Sequence, residues 1–263
     1  MNRLAKILDH KRVELAERMQ VMPMASLRKL TENAAQPLDF YKALRCPDGE
    51  RPRLIAEVKC ASPSRGVLVE NFDPLALADT YRANGAAAIS VLTDEKFFCG
   101  DMQYLKDIAA MQPRIPALRK DFILDDYQLY EARAAGASAA LLIVAALNPA
   151  QVHDLRETCE ALGMHALVEA HAADEVEVAL KAGAKIVGIN NRDLVTFNVN
   201  LETSLKLRSM IPKGVVVVAE SGIFTKSDVD KLALADVDAM LVGEALVTAP
   251  NTAEKVRELA GRG

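Results

Sequence analysis

From residue 54 onward, short apolar runs alternate with amphipathic stretches along the chain. The runs are LIAEVK (54–59), AAISVLT (87–93), PALRKDF (116–122), AALLIVAAL (139–147), HALVEA (165–170), KIVGINN (185–191), VVVVAES (215–221) and AMLVGEA (239–245). Near-continuous apolar runs of this length predict strands buried on both faces. The segments between them, 74–84, 101–111, 126–135, 149–162, 172–182, 201–210, 225–235 and 252–260, carry helical periodicity. Several end in glycine just before the next run, as in YRANGAAA, ARAAGASA, CEALGMHA and ALKAGAKI. Glycine accepts the left-handed conformation that stops a helix.

Strict alternation of strand and helix predicts a parallel sheet, because parallel strands need crossover connections. Eight such units predict an α/β fold closed as a (β/α)8 TIM barrel. The open doubly wound alternative is weaker, since no GxGxxG follows the first run. Ahead of the barrel, residues 1–20 place Leu4, Ile7, Leu8, Leu15 and Met19 near helical spacing, and Pro23 ends that helix. A second short helix is expected over Ser26–Thr31, before a polar stretch containing Pro37, Pro47 and Pro52. The whole chain, 1–263, then reads as one barrel domain, with residues 1–50 an N-terminal helical extension acting as lid or plug.

Polar residues interrupt the apolar runs late in each strand. Glu57 and Lys59 close the first, Lys120 the third, Glu169 the fifth, Asn190 the sixth, and Glu220 with Ser221 the seventh. In a strand, residues i and i+2 share a face, so Glu57 and Lys59 project to one side. A single buried ion pair serves structure as readily as function. Charged groups ending several strands at the same end of a barrel point to its catalytic mouth. Parity separates neighbours: Lys120 shares its face with Leu118, whereas Arg119 and Asp121 share the opposite, structural one. The glycines of AESGI (219–223) and LVGEAL (241–246), Gly222 and Gly243, fall where barrels of this kind bind phosphate. Phe97, Phe98 and Phe122 are balanced between core and ligand stacking.

Composition narrows the chemistry. About half the residues are apolar, which is ample for a large core, and the net charge of −4 argues against nucleic acid as a partner. The four cysteines (Cys46, Cys60, Cys99, Cys159) and four histidines (His10, His153, His165, His171) show no metal-ligand spacing. Free thiols, no metal, no membrane and a cytoplasmic location are therefore expected. The charged N-terminus lacks the apolar core of a signal sequence.

The motifs IAEVKCASPSRG, PALRKDFI, LLIV, ALVEAH, VGINNRDL, VAESGI and LVGEAL occur in this order. Together with the N-terminal extension they make the chain resemble the indole-3-glycerol phosphate synthases over essentially its whole length. The resemblance implies a carboxy-lyase of tryptophan biosynthesis that closes the indole ring of 1-(2-carboxyphenylamino)-1-deoxyribulose 5-phosphate, releasing carbon dioxide and water. It implies no cofactor or metal, a monomer, and this small phosphosugar-anthranilate molecule as the partner. Lys120 is implied as general acid and Glu169 as base. Lys59 is a second acid or a substrate orienter, Glu57 holds the lysines, and Asn190 and Ser221 fix hydroxyls or charge. Ser62, Gly222 and Gly243 are implied to hold the phosphate, with Lys59 adding charge. Arg192 is placed near the anthranilate carboxylate, with an ion pair to Asp193 or Glu169 as its rival. Phe98, Phe122, Leu141, Leu194 and Val242 form the apolar pocket, and Glu220 and Glu244 complete the binding set. Cys60, Asp101 and Ala245 depart from common family forms. The rival readings are a Schiff-base phosphosugar aldolase using Lys120 or Lys59 and a non-catalytic metabolite-binding barrel. An aminoaldose isomerase would need a Cys or Asp acid–base pair at the mouth.

Overall fold

The structure, a computed structural model, describes residues 3–47, 50–62, 66–69, 71–193 and 198–262. Leu194 and the side chain of Ser62 lie outside the described residues. Eight parallel strands close into a barrel: β1 (Arg53–Val58), β4 (Ala88–Leu92), β5 (Ala117–Lys120), β6 (Ala139–Ile143), β7 (His165–Ala170), β8 (Ile186–Asn190), β9 (Val216–Glu220) and β10 (Ala239–Val242), with β10 pairing back onto β1. A small antiparallel hairpin, β2 (Ala61–Ser62) and β3 (Gly66–Val67), rises from the end of β1 and has no counterpart in the sequence pattern.

The crossover helices are α4 (Pro74–Asn84), α6 (Met102–Ala110), α7 (Asp126–Ala134), α8 (Pro149–Ala161), α9 (Ala173–Lys181), α10 (Glu202–Arg208), α11 (Lys226–Leu234) and α13 (Thr252–Ala260). Six of these eight helices start on a side-chain cap, as where Asp73 accepts from the Leu75 and Ala76 amides and Asn148 forms a capping box with Gln151; α9 and α10 do not. The glycines expected to end helices, Gly85, Gly136, Gly163 and Gly183, all take positive φ. Asp101, one of the departures from common family forms, caps α6 by accepting from the Gln103 amide at 2.7 Å.

Two runs end earlier than their apolar content predicts. The run at 139–147 leaves the sheet after Ile143 and turns as a 3-10 segment over Val144–Ala146. Ile143 pairs with Glu169, and β7 ends one residue later at Ala170, so no ladder remains to extend. The run at 239–245 stops at Val242 and starts a short helix, α12 (Glu244–Val247). A further short helix, α5 (Glu95–Phe98), follows β4.

The extension comprises α1 (Arg3–Val21), α2 (Met24–Asn33) and α3 (Phe40–Leu44), the last absent from the sequence pattern. It serves both ends of the barrel. Phe40 and Leu44 of α3 are fully buried against Ile55, Ala88, Leu118, Ala139, Ile186, Val216 and Ala239, which plugs the floor. Burying each such side chain contributes about 1.5–3 kcal/mol. At the other end, Leu4 and Ile7 of α1 reach the mouth, while Leu15 packs on Leu27 and Tyr127.

Alternation along the strands divides two cores. Ile55, Leu118, Leu141, Leu167, Ile186, Val218 and Leu241 fill the barrel, while their neighbours meet the helices. Arg119 follows the outward set. It is fully buried and donates to Asp121 (3.0 Å), Glu131 (3.1 Å) and Thr93 Oγ1 (3.3 Å).

Candidate active site

The inward parity of β5, β7 and β9 brings one cation and two carboxylates together at the mouth. Lys120 Nζ donates to Glu169 Oε2 and to Glu220 Oε2, each at 3.0 Å. Both carboxylates are almost wholly buried. Gly188, opposite Glu169 in the ladder, makes room for this cluster: a Cβ there would collide with Glu220 Oε1. On the adjoining wall, Lys59 Nζ stands 2.5 Å from Glu57 Oε1. A Cβ on Gly243 would come within 2.5 Å of that same oxygen, so glycine at the end of β10 lets Glu57 lie flat.

The cluster titrates as a unit. Burial pulls the Lys120 ammonium down, but Glu169, Glu220 and Glu57 outweigh it and hold its pKa above the ordinary lysine range. Burial pushes Glu169 up, yet Lys120 and His171 overcome this and keep it below the usual carboxylate range. Glu220 has no such surplus. Burial and the neighbouring Glu169 charge outweigh Lys120, and its pKa is pushed up to about 8. The cluster therefore sets an ammonium and an ionised Glu169 beside a Glu220 carboxyl held above the usual carboxylate range.

One cavity gathers the expected site. It is lined by Glu57, Lys59, Phe98, Lys120, Phe122, Leu141, Glu169, Asn190, Arg192, Glu220, Ser221, Gly222, Val242, Gly243 and Glu244. Phe98 and Phe122 meet with ring centroids 6.0 Å apart and, with Leu141 and Val242, give the cavity an apolar side. Phe97 turns away and packs edge-on to His10. Arg192 Nη2 stands 3.8 Å from Glu244 Oε2. The Arg192 amide donates to Asn190 Oδ1 at 3.0 Å, which anchors the loop after β8. Ser221 and Gly222 both have positive φ, 66° and 77°, an uncommon state for serine. Among the described residues, no group of three or more His, Cys, Asp or Glu could hold a metal ion, and no helix is long and apolar enough to cross a membrane.

Two residues passed over in the sequence belong to the site's support. His171 Nε2 lies 3.4 Å from Glu169 Oε1 and its Nδ1 lies 3.1 Å from Glu175 Oε2. Burial lowers its pKa, but these carboxylates prevail and hold it at about 10. Its place two residues after Glu169 and four before Glu175 was the available signal. Asn191, buried beside Asn190, donates to the Ser221 carbonyl at 3.0 Å and accepts from the Ser204 amide and hydroxyl. It holds Ser221 in its left-handed turn, and the Asn-Asn doublet gave no reason to separate the two roles.

Residues 4–259 match the family model described as indole-3-glycerol phosphate synthase. The chain is 53% identical to the indole-3-glycerol phosphate synthase of Roseiflexus sp. strain RS-1, covering 98% of each chain. It is 50% identical to that of Chloroherpeton thalassium, covering 96% of this chain and 97% of the relative. Among solved structures, 3-hexulose-6-phosphate synthase from Salmonella typhimurium superposes with a TM-score of 0.62 at 16% identity, covering 80% of this chain and 97% of that one. At that identity the likeness speaks for the barrel alone. The sequence similarity runs the length of the chain, and the chain belongs to the indole-3-glycerol phosphate synthase family.

Proposed function

We propose that this barrel closes the indole ring of 1-(2-carboxyphenylamino)-1-deoxyribulose 5-phosphate, with loss of carbon dioxide and water, using Lys120 as general acid and Glu169 as general base. The observation that carries the proposal is the Lys120 ammonium held between Glu169 and Glu220 at 3.0 Å, beside an apolar wall. An amine kept charged is a proton donor and lacks the free lone pair that a Schiff-base aldolase requires.

The anthranilate ring rests against Phe98, Phe122, Leu141 and Val242, with Leu194 as a further expected contact. Its carboxylate-bearing carbon attacks the ketone carbon while Lys120 delivers a proton to the ketone oxygen. Loss of carbon dioxide then restores the aromatic ring; a carboxylate set against apolar side chains is poorly solvated, which favours its departure. In the last step Glu169 removes a proton as the hydroxyl leaves with one, supplied by Lys59 or Lys120. Glu57 keeps Lys59 aimed at the mouth, and Asn190 and Ser221 orient the hydroxyls. The phosphate rests on Gly222 and Gly243 backbone donors and on Ser62, with Lys59 adding charge and Arg192 serving the anthranilate carboxylate. Glu220 steadies Lys120 and stores a proton, and Glu244 steadies Arg192. In this role the enzyme works as a cytoplasmic monomer and binds no nucleic acid.

The chain contains no tryptophan, so indole formed from the substrate appears over a tyrosine-only background. Incubation of the protein with the carboxyphenylamino-deoxyribulose phosphate is expected to produce indole fluorescence together with one equivalent of carbon dioxide. Absence of both contradicts the proposal.

A further inference from the structure

We infer that Lys11 of the N-terminal helix is a positioning residue for the reaction: one buried ammonium locks α1, the turn carrying Lys120 and Phe122, and the helix carrying Phe98 into a single register. The inference rests on the reading of Lys120 as the acid.

Lys11 is 1% exposed, and its Nζ lies 2.9 Å from Asp94 Oδ2, 3.1 Å from Asp121 Oδ1 and 3.0 Å from Glu14 Oε2. Each of the first two contacts leads to the cavity. Asp94 caps α5 by accepting from the Phe97 amide at 2.7 Å, so its position sets the short helix that presents Phe98. Asp121 lies between Lys120 and Phe122 in the chain. Its Oδ1 also accepts from the Phe122 amide at 2.8 Å, and its Oδ2 takes the Thr93 hydroxyl at 2.7 Å and Arg119 at 3.0 Å. On α1 itself, Ile7 lies one turn before Lys11 on the same face and lines the cavity together with Leu4.

Helix docking alone does not call for an ammonium here, because Leu8 and Leu15 already bury apolar surface on the same helix. A buried ion pair adds little net stability over a well-packed apolar side chain, and its best-attested use is to fix register. Three carboxylates aimed at one nitrogen accept it in one place, which suits an alignment device. A shift of about 1 Å at the reacting groups can cost on the order of 100-fold in rate.

The test compares Lys11→Met with Leu15→Ala, which loosens α1 where it meets Leu27 and Tyr127, away from Asp94 and Asp121. Lys11→Met is expected to lower kcat/KM for the carboxyphenylamino-deoxyribulose phosphate by about 10- to 100-fold, through both a higher KM and a lower kcat. Leu15→Ala should stay within about threefold of the parent despite a lower unfolding midpoint. Parental kinetics in Lys11→Met, or an equal loss in Leu15→Ala, overturns the inference. If Lys11→Met does not fold, Asp94→Asn decides, since asparagine still caps α5 while losing the charge that meets Lys11; a raised KM supports the clamp and a parental KM overturns it. Lys120→Ala is run alongside. Full activity there removes the reading beneath the inference, whereas an inactive Lys120→Ala beside an unimpaired Lys11→Met removes the inference alone.

Discussion

Lys120 Nζ and Glu169 Oε2 meet at 3.0 Å from strands that are not neighbours, with β6 between them. The contact exists because both side chains end inward-facing rows of their strands, above Leu118 and Leu167. It pairs an acid that stays charged with a base that stays ionised. Proton transfer by a positioned group is worth about 10²–10⁴-fold. Glu169→Gln, which preserves shape and removes the base, is therefore expected to lower kcat by that range while KM moves only a few-fold. Steady-state kinetics at saturating substrate check this; a kcat within threefold of the parent contradicts the role.

Glu220 gives the fold a pH signature. Its pKa is raised from the ordinary value of 4.5 to about 8, so between those values the folded chain holds a proton that the unfolded chain has released. Stability then falls as pH rises through that window. His171 acts in the same direction at higher pH: with its pKa raised from 6.5 to about 10, its contribution is complete below 6.5 and disappears as pH passes 10. Glu169 has the opposite sign, losing its contribution only in acid, below the ordinary carboxylate value. Glu220→Gln is expected to flatten the decline in unfolding midpoint between about pH 5 and pH 8 relative to the parent. Parallel curves for the two proteins contradict the assignment of the raised value to Glu220.

The barrel floor offers a separation of stability from activity. Phe40 is fully buried among the interior residues at the end opposite the catalytic cluster. Phe40→Ala is expected to cost about 3–5 kcal/mol in chemical unfolding. The folded fraction should keep a kcat close to the parent value at 25 °C. A large loss of kcat in protein shown to be folded contradicts the view that α3 serves only the floor.

The eight strands, their order and the inward residues were legible because period-two alternation dictates which side chains share a face. Parity alone separated Lys120 from Arg119 and Asp121. It could not give strand ends, which depend on where a neighbouring ladder stops, as at Ile143 and Ala170. Nor could it find Gly188, whose role is the absence of a side chain beside Glu220. His171 was hidden because its partners, Glu169 and Glu175, are an ordinary local spacing on a strand end and a helix. Lys11 was hidden for a different reason. A lysine in an amphipathic helix reads as a solvated face, and only the fold brings Asp94 and Asp121 to it from the ends of two barrel strands.

If Lys120 supplies the proton for ring closure, turnover must collapse in Lys120→Ala. Lys120→Ala leaves Glu169 with His171 as a partner, so the fold can be checked by circular dichroism before kinetics. Indole fluorescence from the carboxyphenylamino-deoxyribulose phosphate is predicted to fall at least about 10²-fold, and more than for loss of any single hydroxyl contact. A folded Lys120→Ala protein that forms indole at the parental rate would exclude Lys120 as the proton donor.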